Sequence, residues 1–120
     1  MMKKALLVAL PFLLAGCATT PSQVQLDQAD YGTPFSHADD QQIVDYIKSG
    51  LIDPYSAHID VENYYTCYRN KPIWEGGYVF GYCIETVVNA KNSYGAYVGA
   101  KPMLYFWRNG QMVRIFDNRG

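Results

Sequence analysis

The chain has 120 residues, of which 15% are aromatic, and a formal net charge of −1. This length is enough for one domain and excludes a second independent core. The nearly neutral charge excludes the polybasic composition typical of nucleic-acid-binding proteins, so no nucleic-acid partner is predicted.

The first 16 residues have the layout of an export signal. A pair of lysines precedes an apolar run of roughly a dozen residues, which is shorter than the about 20 residues of a membrane-spanning helix. The run ends in Leu14-Ala15-Gly16-Cys17, which resembles the lipobox of bacterial lipoproteins. The resemblance implies that residues 1–16 are removed and that the Cys17 thiol is acylated. Because Ala18 follows the cysteine, it also implies a lipid anchor in the outer membrane of a Gram-negative cell, with the domain facing the periplasm.

Residues 17–35 are predicted to be a flexible tether. They contain two prolines and one glycine, few apolar residues and no sustained hydrophobic period. If this segment orders against a neighbour, its predicted anchors are Val24, Leu26 and Tyr31.

The single domain is predicted over residues 36–120, and it begins with a helix at about residues 37–49. Ser36 can cap the helix, and Ile43, Val44, Ile47 and Leu51 recur at helical spacing. Pro54 constrains the residue before it and lacks a backbone donor, so a turn follows the helix.

Residues 59–69 and 78–89 are rich in β-branched and aromatic side chains, which predicts the two strands of a hairpin. A hairpin centred near Glu75 places Cys67 directly opposite Cys83, close enough for a disulfide. Lipidation of Cys17 leaves these two cysteines in an oxidising compartment, which favours the same pairing. The register also predicts one core face, which carries Tyr64, Tyr68, Tyr82, Ile84 and Val88.

Asn109-Gly110 lies between two apolar runs and predicts a second hairpin with a two-residue turn. Pairing about this turn puts Leu104 and Phe106 with Ile115 and Val113 on one face, which is the predicted core side. The other face is either a protein-contact surface built around Trp107 and Arg114 or a solvated or helix-covered side of the sheet. Its members are Met103, Tyr105, Trp107, Met112, Arg114 and Phe116.

These elements together predict an α+β fold. One N-terminal amphipathic helix packs on a small antiparallel sheet of about four strands, which form two hairpins.

Two segments, one before the first predicted strand and one that begins at the end of the second, share a pattern with known proteins. Residues 53–57 read Asp-Pro-x-Ser-Ala, and residues 88–99 read Val-Asn-Ala-Lys-Asn-x-x-Gly-x-Tyr-x-Gly. Both resemble a loosely defined group of small bacterial envelope proteins, many of them predicted lipoproteins. The resemblance implies no established enzymatic activity. Asn89 and Asn92 are predicted to have a structural role in a turn, and ligand binding by Lys91 and the two asparagines is the alternative. Lys91, Asn92 and Tyr97 are the candidate interaction residues of this segment.

No pattern in the chain predicts an enzyme, a metal site or a cofactor. Asp53, Ser56 and His58 are near one another in sequence, but a catalytic triad is defined by geometry, and this spacing alone does not predict one. The two histidines, His37 and His58, lack further ligands at zinc-binding spacing.

Charge is unevenly divided along the chain after residue 16. Residues 17–62 carry eight acidic side chains against one lysine, and residues 63–120 carry seven basic side chains against three acidic ones. The division is consistent with a docking surface for a charged partner or with solvated faces of opposite sign.

Two functions fit this sequence. The leading hypothesis is a non-catalytic interaction or assembly subunit of an envelope complex, such as a type IV-like secretion system, which implies a protein partner. The alternative is a ligand-binding or inhibitory module for cell-wall glycan or for a lytic enzyme.

Overall fold

The computed structural model describes residues 20–115, in which four antiparallel strands form one sheet in the order β1-β2-β3-β4. The strands are β1 (His58–Asn70), β2 (Tyr78–Asn89), β3 (Lys101–Arg108) and β4 (Gln111–Ile115). Two helices precede them, α1 (Gln23–Asp27) and α2 (Asp40–Ser49). Single 3₁₀ turns lie on either side of α2, at His37–Asp39 and Pro54–Ser56.

The predicted α+β fold with an N-terminal helix is wrong, because the fold is mostly sheet. The helical stretch over residues 37–49 is short, and it follows a segment that has its own helical turn and packs on the sheet. Ser36 does cap this stretch, since its hydroxyl accepts a hydrogen bond from the Ala38 amide. The helical pattern ends at Gly50. Residues that favour strands then make up β1, which has 13 residues, and β2, which has 12, so the sheet is the larger part of the fold.

The main core lies between α2 and one face of the sheet. Ile43 and Ile47 of α2 are buried in one cluster with Ile84, Tyr105 and Trp107. The indole N–H of Trp107 donates to the Gln42 side-chain oxygen at 3.0 Å, which ties the helix to β3. Burial raises the pKa of Tyr105 above its usual value, since the surrounding core disfavours a phenolate.

The second hairpin has the predicted register but the opposite core side. Leu104 pairs with Ile115 and Phe106 pairs with Val113, as the Asn109-Gly110 turn predicts. The predicted core side is wrong for the main core, because α2 covers the face that carries Tyr105 and Trp107, which was the helix-covered alternative for that face. Phe106, on the predicted core side, is also buried. Both faces of β3 are apolar, so the alternation defines the two faces without indicating which one the helix covers.

The first hairpin contains the predicted disulfide in a different register. Cys67 pairs with Gly81, while Cys83 pairs with Tyr65, because the turn centres on Trp74 rather than on Glu75. The Cys67–Cys83 disulfide is confirmed, and it joins diagonal neighbours whose Cα atoms are 5.7 Å apart. Strand twist brings the residues on one diagonal of an antiparallel pair closer together, so a disulfide can join two cysteines that are not directly paired. From Tyr64 to Asn70 the shift is two residues, which leaves those side chains on their predicted face. A register irregularity between Val61 and Tyr64 makes the shift three residues at the start of β1, and it places Ile59 opposite Val88 on the core side.

The segment predicted as a tether contacts the sheet between Tyr31 and Phe35. Tyr31 packs edge-on against Phe80, with ring centroids 5.6 Å apart. Phe35 is buried and packs edge-on against Trp107 at 5.1 Å. Of the other two predicted anchors, Val24 is exposed and Leu26 is half-buried. The packed part of the chain therefore begins before Ser36.

Hydrogen bonds from the second hairpin hold this segment in place. The Thr33 amide and hydroxyl both donate to the Asn109 side-chain oxygen, at 2.7 and 2.8 Å. The Arg108 guanidinium donates to the backbone carbonyls of Asp30 and Phe80, and it lies 3.5 Å from the Asp30 carboxylate. We call Asp30, Phe80 and Arg108 the arginine clasp. It joins the N-terminal segment, β2 and β3 through one side chain.

Gly81 is the position of β2 where the sheet tolerates no side chain. A Cβ at this position would lie 2.7 Å from both the Phe106 ring and the Trp107 carbonyl oxygen. Gly81→Ala is therefore expected to lower the free energy of unfolding by about 1–3 kcal/mol, as measured by urea denaturation.

Gly50→Ala is the matched control for this substitution. A Cβ at Gly50 meets only the Ile47 carbonyl oxygen, at an ordinary 3.8 Å. We expect its stability to stay within about 0.5 kcal/mol of the unsubstituted protein. Equal stabilities of the two alanine variants would contradict the close packing at Gly81.

Candidate functional site

The two segments that resemble envelope proteins meet in space at Tyr97. The Tyr97 hydroxyl donates to the Ser56 backbone carbonyl at 2.8 Å and lies 3.2 Å from His58 Nε2. The Tyr97 and His58 rings are stacked, with centroids 5.4 Å apart. The Lys91 ammonium lies 5.4 Å from the Tyr97 ring centroid, within range of a cation–π interaction. We call Ser56, His58, Lys91 and Tyr97 the motif joint.

The hydrogen-bonding roles of Tyr97 and His58 are linked, because both contacts use the same tyrosine oxygen. The Tyr97 hydroxyl has one proton, which points to Ser56. The contact with His58 is then a hydrogen bond only if His58 Nε2 carries a proton and donates it to the tyrosine oxygen.

Asn92 and Asn89 organise the loop that carries Lys91 and Tyr97. The Asn92 side-chain oxygen accepts from the amides of Tyr94 and Ala96, at 2.9 and 3.2 Å. The Asn89 side-chain oxygen accepts from the Gly99 amide at 3.2 Å. Gly95 completes the turn with a φ of +80°, a conformation that disfavours other residues. Both asparagines thus have the structural role that was one of the two interpretations of this segment.

Large apolar side chains project into solvent next to the motif joint. Tyr55, adjacent to Ser56, is 98% exposed, and Tyr94, three residues before Tyr97, is 92% exposed. Ile52 and Val98 are exposed on the same two segments. The contacts of Tyr97 hold the two segments together. The exposed side chains therefore belong to one surface whose two parts are fixed relative to each other, rather than to two independent loops.

The remaining predicted interaction residues lie elsewhere. Trp107 is only 2% exposed and is enclosed between α2 and the sheet, so it is not at a contact surface. Arg114 is exposed on β4, opposite Tyr105. The structure therefore brings Lys91, Asn92 and Tyr97 together and separates them from Trp107 and Arg114. Cys17 and Phe116 lie outside the described residues.

The contacts of Ser56 and His58 differ from those of a catalytic triad. The Ser56 hydroxyl donates to the Asp53 backbone carbonyl at 3.1 Å, within its own turn. His58 Nε2 contacts Tyr97. Over residues 20–115, no group of three or more His, Cys, Asp or Glu side chains is placed to hold a metal ion.

The tip of the first hairpin is an exposed surface that the sequence analysis missed. Ile73 is 94% exposed and Trp74 is 82% exposed, in the turn between β1 and β2. The available signal was an Ile-Trp pair enclosed by Pro72 and Gly76-Gly77. Turn-forming residues on both sides predict that the Ile-Trp pair lies at the tip of a tight turn, where few neighbouring residues can cover two large side chains.

No protein-family model, curated protein or solved structure matches this chain. In the part of the chain that the structure describes, no helix is long and apolar enough to cross a membrane.

Proposed function

We propose that this protein is a lipoprotein anchored in the outer membrane through Cys17, and that its domain is an interaction subunit of an envelope complex. The observation that carries the proposal is the exposure of Tyr55 and Tyr94, both above 90%, one on each of the two segments that meet at the motif joint. Tyrosine offers a large contact area with little side-chain entropy to lose, and exposed apolar groups on a held framework favour protein contact.

The lipid anchor is supported by the residues Leu14-Ala15-Gly16-Cys17. It is also consistent with the disulfide, since two cysteines remain to pair when Cys17 is acylated. A mass spectrum of the protein isolated from membranes tests the anchor directly. We expect an acylated N-terminal Cys17, whereas an intact Met1 or a free Cys17 thiol would contradict it.

The alternative of a glycan-binding or inhibitory module depends on Lys91 and Asn92 as ligand contacts. The structure favours it less, because Lys91 already lies over the Tyr97 ring and the Asn92 oxygen already accepts two backbone amides. These groups hold the loop together, and a ligand would compete with the contacts that shape it.

The interaction function is tested by cross-linking in intact cells at native expression, followed by identification of the cross-linked partner. Tyr55→Ser combined with Tyr94→Ser is expected to reduce recovery of that partner by at least about tenfold, because truncating central aromatic contacts removes most of an interface's affinity. Tyr65→Ser, an exposed tyrosine on β1, is the control and should leave recovery unchanged.

Two results would contradict the interaction function. One is recovery of the protein only with itself, and the other is equal recovery from the double variant and the control. Binding to purified cell-wall glycan that is lost when Lys91, Asn92 and Tyr97 are substituted together would favour the alternative module.

A further inference from the structure

The tip of the first hairpin is a fixed turn that displays two apolar side chains. The Pro72 carbonyl accepts from the amides of Glu75 and Gly76, at 2.9 and 3.1 Å. The Lys71 amide donates to the Gly77 carbonyl at 3.0 Å, which closes the turn at its base. Ile73 and Trp74 are therefore exposed in a hydrogen-bonded turn rather than in an unpaired loop.

The tip extends beyond the other strands of the sheet. β1 and β2 remain paired out to Asn70 and Tyr78, whereas the pairing of β2 with β3 stops at Tyr82. The first four residues of β2 after the turn, 78–81, thus pair with β1 alone and form a two-stranded arm with it. Ring contacts of Tyr68 with Tyr78 and Phe80, at 5.5 and 6.5 Å, stiffen this arm.

The N-terminal segment lies at the same end of the molecule as the tip. The arginine clasp fixes Asp30 at Phe80, on the arm itself. Farther toward the N-terminus, Gln25 and Gln28 line a groove together with Lys71 and Tyr78, at the base of the turn. Cys17 precedes Thr20, the first described residue, by three residues. Those three residues span at most about 11 Å.

We propose that Ile73 and Trp74 insert into the lipid interface beside the Cys17 anchor, so that the hairpin tip is a second membrane contact. The proposal rests on the proposed function for the lipid at Cys17. An anchor at Cys17 brings this end of the domain to the bilayer, and Trp is the side chain that prefers the boundary between lipid headgroups and acyl chains. Lys71, at the base of the turn, can reach lipid phosphates while its methylenes stay with the apolar tip.

The second contact would orient the domain. The motif joint lies at the start of β1 and the tip follows its end, 13 residues later. At about 3.4 Å per residue this separation is about 40 Å. With the tip in the membrane, the motif joint and the two segments that carry Tyr55 and Tyr94 lie at the other end of β1 from the lipid, where an envelope partner can reach them.

The test uses tryptophan fluorescence, because the two tryptophans differ sharply in environment. The full protein purified from membranes is reconstituted in vesicles of phosphatidylethanolamine and phosphatidylglycerol that contain phosphatidylcholine with brominated acyl chains, which quench nearby indoles. In the Trp74→Phe variant the remaining tryptophan is Trp107, which is buried in the protein core, so this variant gives the emission of Trp107 by itself. We expect the brominated lipid to remove about half or more of the Trp74 emission and to leave the Trp107 emission unchanged.

A reporter at the other end of the molecule is the matched control. Tyr55→Trp in the Trp74→Phe background places an indole at a position that is 98% exposed in the parent protein. This indole should be quenched by aqueous iodide and not by brominated lipid. Equal lipid quenching at both positions would overturn the proposal, because the domain would then have no fixed orientation.

Different results would contradict the lipid anchor at Cys17 and the membrane contact of the hairpin tip. An acylated Cys17 with no lipid quenching of Trp74 overturns the tip contact and leaves the anchor intact. An unmodified Cys17 with quenching of Trp74 by added vesicles supports the tip contact and removes the anchor. Shielding of Trp74 from iodide in isolated envelopes, without quenching by brominated lipid, would show that a protein covers the tip and would also overturn the proposal.

Discussion

Replacing Trp107 with alanine is expected to lower the free energy of unfolding by about 3–5 kcal/mol. The indole is 2% exposed and packs against Phe35 and Tyr82, with centroids 5.1 and 6.2 Å away. Its N–H also donates to Gln42, so alanine removes both a packed ring and a bond to α2. Urea denaturation followed by far-ultraviolet circular dichroism measures the change without relying on the fluorescence of the residue that is removed.

Trp74→Ala is the control for this experiment, since it makes the same chemical change at an indole that is 82% exposed. Its free energy of unfolding should stay within about 0.5 kcal/mol of the unsubstituted protein. Similar losses of stability in the two variants would contradict the location of the core on the α2 side of the sheet.

Removal of the disulfide is expected to cost about 2–5 kcal/mol of stability. The bond closes a loop with a sequence separation of 16 residues, and it lies next to the arm in which β2 pairs with β1 alone. Cys67→Ala combined with Cys83→Ala removes the bond without burying a new hydroxyl, which matters because Cys83 is buried. Hydrogen exchange should show the largest loss of amide protection in residues 64–80.

The reducing agent dithiothreitol provides the control for the disulfide variant. It should lower the stability of the unsubstituted protein toward that of the double alanine variant, and it should leave the variant itself unchanged. A double variant as stable as the parent protein would show that the bond does not constrain the hairpin.

Local patterns were enough to predict the elements that depend on neighbouring residues. The capping serine Ser36 marked the start of the helical stretch, and Asn109-Gly110 gave the register of the second hairpin. The Cys67–Cys83 pairing was predicted from the hairpin register, in agreement with the cysteine parity expected if Cys17 is acylated, and it is confirmed although the turn centres on Trp74 rather than on Glu75. Each of these features depends on residues close in sequence or on composition.

The errors concern contacts between distant parts of the chain. Both faces of β3 are apolar, so nothing local indicated that α2 covers the side of Tyr105 and Trp107. The motif joint links Tyr97 to Ser56 across 41 residues, and no hydrophobic period encodes such a contact. Phe35 was included in a polar, proline-containing stretch, and only the packed structure shows that it belongs to the core.

The arginine clasp also determines how the domain would bear mechanical load. A pull transmitted along the chain from residue 20 reaches Asp30 before it reaches α2, and at Asp30 the Arg108 side chain connects it to β3 and to the Phe80 carbonyl of β2. The two bonds from Thr33 to Asn109 lie just behind this point and share the load. Tension between the proposed membrane anchor and a proposed partner would therefore enter through the central strands β2 and β3, before it reaches α2.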